Sequence, residues 1–225
     1  MSAAPTVRQR RKDARPQELL DAALELFVEK GFAATRSEEV AMRAGVSKGT
    51  LYLYYPSKEE LLKAVIRQTL AAKIAEGRVM ALNQQGSPAD KLLAVLPHWW
   101  GEVYRSPASG VFKLVITEMC NFPELAQFYA EEVIMPGTAL VAEHLEAGMA
   151  CGEFHRHDVM STVYSIVMPL IMVCLHKHSL GACGMDEPIL EDPDGFIRRH
   201  VTLVLNGLRH APEAPCSSIP PSLHA

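Results

Sequence analysis

Apolar residues along this chain recur three and four apart far more often than they alternate, and that spacing predicts helices almost throughout. Leu20, Ala23, Leu24 and Phe27 stand at i, i+3, i+4 and i+7, and Lys30-Gly31 supplies a stop, so a first helix is expected over roughly residues 16 to 30. Thr35-Arg36-Ser37-Glu38 fits a capping box, with the Thr35 hydroxyl on the Glu38 N–H and the Glu38 carboxylate reaching back. The short second helix that follows turns Val40, Ala41 and Ala44 inward. It ends where Gly45 can take the left-handed conformation that other residues avoid. Ser47 then caps a third helix, Lys48 to Tyr55, and Pro56 breaks it. Ser57-Lys58-Glu59-Glu60 reads as a second capping box that opens a longer fourth helix.

From Ser87 onward the texture changes to longer helices that are apolar on more than one side. Helices are expected from Pro88 to about Arg105 and from Ser109 through Met119. Asn121-Phe122-Pro123-Glu124 forms a tight link into a helix carrying Leu125, Phe128, Tyr129 and Ile134, with a kink or break at Met135-Pro136-Gly137. That helix resumes and stops at Cys151-Gly152-Glu153; two more follow, from about Asp158 to Lys177 and from about Pro193 to Arg209. The expected fold is all-α with about nine helices: a small N-terminal head over residues 13–73 and a larger helical body over 74–211. Residues 1–12 form a basic arm and 212–225, with four prolines from Pro212 on, a tail; both are expected to be disordered.

The head, with its steep Ala44-Gly45-Val46-Ser47 turn, has the layout of a DNA-reading helix-turn-helix over about residues 36–55. Two helices joined by such a turn leave the start of the second protruding, and a protruding helix fits the major groove. Ser47, Lys48, Gly49 and Thr50 are small, hydroxylated or cationic, which allows close approach to phosphates and base edges. Tyr52 and Tyr54 add phenolic donors, and Lys58 near a helix N-terminus can hold a phosphate.

At these residues the chain resembles a known family. Gly31-Phe32, Ala44 through Tyr52, and Tyr54-Tyr55-Pro56-Ser57-Lys58-Glu59-Glu60-Leu61 are similar to the N-terminal domain of the TetR family of bacterial transcriptional regulators, in order and without a gap over about residues 13 to 73. The resemblance implies an all-α homodimer with a DNA-binding head and a body that holds a small effector. It also implies DNA contacts at Ser47, Lys48, Thr50, Tyr52, Tyr54 and Lys58, with Gly49 as the close-approach residue; Thr35 and Arg36 join these as candidates. The chain departs from the family pattern at Arg36 and Glu38. Glu38 is either held in the capping box or able to accept from a cytosine amino group, so it stays outside the candidate site.

Composition adds bounds rather than identity. Of 225 residues 48% are hydrophobic and 21% charged, enough to bury a sizeable core. Residues 1 to 80 carry a net charge of +4 and residues 81 to 225 a net of -8, so a basic end and an acidic body are separate features. Arg8, Arg10, Arg11, Lys12 and Arg15 supply the positive excess, either as an arm that reaches phosphates and a minor groove or as a solvating tail. No apolar stretch follows the arm before the helical pattern begins, so a signal peptide is not expected, and Val159 to Leu175, the most apolar run, is interrupted by Tyr164, Ser165 and Pro169. Five scattered cysteines suit a reducing cytoplasm, and no membrane association is expected.

The last two long helices offer more apolar surface than one small core consumes, through Val159, Val163, Ile166, Val167, Leu170, Ile171 and Val173 on one and Phe196, Ile197, Val201, Leu203, Val204 and Leu205 on the other. Either they are central to the body or they form the homodimer interface that the resemblance implies. Trp99, Trp100, Tyr104, Phe112, Met119, Phe122, Met168 and Met172 are large, polarisable side chains that suit an effector pocket for flat, lipophilic molecules. Adjacent helix residues point about 100° apart, so Trp99 and Trp100 cannot share one core face, and one should line a cavity, an interface or solvent. His176 and His178 are two apart and diverge, no compact CxxC or HxxxH occurs, and no metal or other cofactor is expected. Nor is there a Gly-rich phosphate loop, a GxSxG elbow or a His-Glu-x-x-His segment, so an enzyme is not expected.

The combined expectation is a homodimeric repressor that a small apolar or amphipathic effector releases from a double-stranded operator, controlling efflux or lipid-related genes. The alternative is a helical small-molecule-binding or enzymatic body with a vestigial head.

Overall fold

The computed structural model describes residues 7–185 and 188–210; the C-terminal tail and the first six residues of the arm lie outside them. The head comprises α1 (Val7–Lys30), α2 (Ser37–Arg43), α3 (Lys48–Tyr54) and α4 (Lys58–Ile66). A π turn, Arg67–Ala71, carries α4 without a break into α5 (Ala72–Asn83). The body adds α6 (Pro88–Arg105), α7 (Ser109–Glu118), α8 (Pro123–Tyr129), α9 (Met135–Ala150), α10 (Val159–His178), the single turn α11 (Pro188–Glu191) and α12 (Pro193–Leu208). Among the described residues the only strand-like pairing is one isolated bridge, Phe154 with Arg209. Helices joined across π turns count as one, and with the single turn α11 left aside the described residues hold nine helices, in line with the expected number.

Helix α1 starts nine residues before the expected position at 16. Pro16 lies inside the helix, which tolerates the missing N–H and takes residues 7–12 of the basic arm into its first turns. The expected kink near Pro136 takes a definite form. A second π turn, Ala130–Ile134, links α8 to α9 directly before Met135-Pro136, so the ring of Pro136 is accommodated by widening the preceding turn. The two π turns touch each other, and Arg67 of one pairs with Glu132 of the other at 3.2 Å.

One continuous core runs from the head into the body. Leu19, Ala23, Leu26 and Phe27 of α1 meet Val40, Leu51, Leu61, Leu62 and Ile66. In the body, Leu92, Leu96, Trp100 and Val103 of α6 lie against α12 and α5, and Val163, Ile166, Leu170 and Val173 turn α10 inward. Helix α10 and the turn after it, Val159–Cys183, are long and apolar enough to cross a membrane; the inward face is instead packed against α7, α9 and α12.

Candidate nucleic-acid interface

The turn between α2 and α3 is built by hydrogen bonds that only one backbone path allows. Gly45 N–H donates to Met42 O at 3.1 Å and Val46 N–H to Ala41 O at 2.9 Å, the paired bonds of a Schellman stop, and Gly45 takes φ +65° as expected. Ser47 then starts α3: its Oγ accepts from Thr50 N–H at 3.1 Å and lies 2.9 Å from Thr50 Oγ1. Leu51 is the anchor of α3, fully buried, and leaves Lys48, Gly49, Tyr52 and Leu53 on the exposed side. Leu53 is 85% exposed, more than any other large apolar side chain among the described residues. The helical spacing already puts Leu53 on a face other than that of Leu51, but the site expectation names only the polar, small and aromatic residues there and so omits it.

Glu38 is not in the capping box. The carboxylate that accepts the Arg36 N–H, at 3.1 Å, belongs to Glu39, one residue later, because Arg36 and not Thr35 is the N-cap. Glu38 therefore reaches across to Lys48 and forms an ion pair, with the Lys48 ammonium 5.7 Å from the centre of the Tyr52 ring. The hydrogen bond from Lys48 holds the Glu38 carboxyl below its usual range, and Glu38 raises Lys48 in turn. Arg36, Ser47, Lys48, Gly49 and Tyr52 are all exposed on this side of the head, while Thr50 and Tyr54 are half-buried.

Two expected contact residues are elsewhere. Thr35 is 1% exposed, and its hydroxyl donates toward Gly31 O at 2.7 Å and Leu26 O at 3.2 Å, which closes the end of α1. Lys58 folds back onto the same loop, with Nζ 2.7 Å from Phe32 O, 3.2 Å from Ala33 O and 3.0 Å from Thr35 O, and 4.5 Å from the centre of the Phe32 ring. Its three protons are directed at carbonyls, so in this structure it braces the loop from behind. The Ser57 half of its capping box is present, Glu60 N–H to Oγ at 3.1 Å, but the Glu60 carboxylate turns to Lys63.

The expected effector-pocket residues do not gather around one opening. Trp100, Phe112 and Met119 are buried, and Trp100 stacks on Phe112 with ring centres 5.7 Å apart. Trp99 lies half-buried between α6 and α5, its ring edge-on to that of Trp100 at 4.8 Å, and its indole N–H donates to Lys73 O at 2.6 Å, so the two rings diverge in exposure but still touch. Tyr104 and Phe122 are half-buried, Tyr104 beneath the Lys177 ammonium and Phe122 edge-on to Phe32. Met168 and Met172 are corrected: the valine and isoleucine face of α10 takes the core side, which leaves them about half exposed outside. A cleft of about 230 Å³ opens between α1 and α7, and another of about 170 Å³ between α6 and α9; neither is lined by the aromatic or methionine set.

A capped helix projecting from a Schellman turn, braced by two helices behind it, defines a helix-turn-helix regulator. Residues 19–65 match the model of the bacterial regulatory proteins of the tetR family, and residues 91–206 that of the AefR-like transcriptional repressor C-terminal domain. The chain is 39% identical over 161 residues to the HTH-type transcriptional regulator YfiR of Bacillus subtilis, a match spanning 71% of this chain and 78% of that one. It is 49% identical over 63 residues to RutR of Escherichia coli K12, which covers 28% of this chain and only 30% of RutR's length. Its fold superposes on FadR of Bacillus subtilis, solved in complex with stearoyl-CoA, with a TM-score of 0.71 at 19% identity, covering 86% of this chain and 99% of that one. This chain belongs to the TetR family of transcriptional regulators, a family of regulators and not of enzymes.

Proposed function

We propose that this chain acts as a homodimeric repressor that reads a near-palindromic operator with two heads and is released by an amphipathic effector with a long apolar part. The observation that carries the reading is the outer face of α3, where Lys48, Gly49, Tyr52 and Leu53 stand exposed on a helix whose opposite side is anchored by Leu51. Exposed ion pairs are weak, so Lys48 can exchange Glu38 for a phosphate as DNA approaches. Leu53 offers an apolar end suited to a thymine methyl group, and Gly49 lets the backbone come close. Arg36, Ser47, Thr50 and Tyr54 complete the surface; Thr35 and Lys58 hold it in shape from behind.

For the dimer, the supporting feature is the outer side of α10. Met160, Tyr164, Met168 and Met172 are four apart and all 40% exposed or more, with Leu203 of α12 at 73%. A second copy covering this stripe would set two heads against successive major-groove faces, about 34 Å apart. For the effector, support comes from FadR, a protein of like fold solved with stearoyl-CoA, which pairs a long acyl chain with a charged head. Lipid-related genes are the targets this reading favours.

The test is selection of DNA from a random pool and from the chain's own promoter, followed by binding across a salt series. We expect a palindromic site whose affinity falls with salt. Lys48→Ala should reduce the salt slope by about one. Leu53→Ala should lose the preference for thymine over uracil at one position of each half-site, and stearoyl-CoA should release the complex. A protein that selects no sequence overturns the proposal.

A further inference from the structure

The loop between α1 and α2 is gripped from two directions. From the head side, Lys58 takes its carbonyls; from the body side, Glu118 at the end of α7 takes its amides, accepting from Phe32 N–H and Ala33 N–H at 2.8 Å each. These are charge-assisted bonds spanning some 85 residues of sequence, and the backbone is shaped for them. Gly31 sits at φ +85°, and a Cβ there would overlap the Glu118 carboxylate. Beside it the Phe32 ring meets Phe122, the residue just after the 3-10 turn that ends α7, edge-on at 4.9 Å.

Helix α7 is held at its other end as well. Ser109 is fully buried, with His178 Nε2 at 2.8 Å and Lys177 Nζ at 3.3 Å from its hydroxyl, so the start of α7 is fastened to the end of α10. Next to it, Gly110 lies flush against Val28 of α1. A ten-residue helix, about 15 Å long, thus joins α10, the helix with the exposed methionine stripe, to the loop that carries α2.

We propose that Glu118 is the positioning residue through which α7 sets the angle of the DNA-reading head. This rests on the regulator reading above. The carboxylate touches no DNA; it fixes the loop from which α2 and α3 depart, so a displacement of α7 is passed to α3 through two hydrogen bonds.

The test uses the full-length chain and the selected operator, with the distance between half-sites varied by one base pair either way. Glu118→Gln keeps the size of the side chain but loses its charge and one of the two acceptors; Glu118→Asp keeps the charge with a shorter reach. In the glutamine variant, exchange of the Phe32 and Ala33 amides should quicken at least about tenfold while the rest of the chain is unchanged. Its spacing preference should flatten from about tenfold per base pair to under about threefold, with the aspartate variant between. Thr117→Ala, on the neighbouring exposed residue, should leave both readouts as in the wild type. Loosened amides with the wild-type spacing preference overturn this proposal alone, and so does unchanged exchange. A wild-type chain that selects no DNA overturns the regulator reading, and this one with it.

Discussion

At Lys58 an ammonium group with three protons meets three carbonyl oxygens and the face of Phe32. Those bonds should contribute to stability. Lys58→Ala should lower the unfolding free energy by about 1 to 3 kcal/mol, read by urea denaturation, with a smaller effect on the salt slope of DNA binding than Lys48→Ala. His178 makes the same point for the body. Burial first, then the charges of Lys177 and Lys113, bring its pKa down to about 4, so the folded chain keeps the ring neutral. A group depressed in this way binds its proton more readily in the unfolded chain. Its contribution is whole above about pH 6.5 and is lost as the pH falls toward 4. The melting temperature of His178→Asn should consequently fall less over that interval than that of the wild type. Neither role was legible in the sequence. A lysine in a helix's first turn and a histidine near a helix's end look alike whether they face solvent or a neighbour's backbone, and both partners lie dozens of residues away.

Helices were legible where their own ends carried the signal. Pro88, Ser109, Asp158 and Pro193 mark starts that the structure places within a residue of the expected positions; at Pro88, Asp158 and Pro193 the start is set by a local hydrogen bond or a fixed φ, whereas α7 begins at Ser109 without a side-chain cap. Two starts differ. Helix α1 begins at Val7, well before its apolar spacing sets in, and the capping box of α2 is offset by one, since glutamate stands at both 38 and 39 and only tertiary packing buries Thr35. What no local pattern encodes is how two helices approach. Gly110 is such a place: a Cβ there would lie 2.5 Å and 2.7 Å from the two methyls of Val28. Gly110→Ala should cost about 1 to 3 kcal/mol in thermal unfolding, despite alanine's better helix propensity, because the strain of overpacking exceeds that gain. A stabilised variant would show that α1 and α7 yield freely.

For the molecule as a whole, the division of α10 into two faces matters most. Its apolar composition is plain in the sequence, but which side meets the core depends on α7, α9 and α12 together, and so the pattern alone does not place Met168 and Met172 on the outside, where they lie. If that stripe joins two copies, Met168→Glu should yield a monomer by light scattering, with helix content unchanged, and operator affinity should fall by at least about a hundredfold, since one head alone lacks the second half-site. A dimer that persists would remove α10 from the interface.

The π turn at Arg67–Ala71 has a consequence of another kind. A π turn holds one residue more than the α-helical count, and one residue corresponds to about 100° of rotation along a helix. The four helices of the head are thus dialled to their heading by a single surplus residue, in the shaft that joins them to everything below. Losing or gaining one residue there would re-aim the fingers without altering any of them, so descendants of this chain have a short route to operators of different phase.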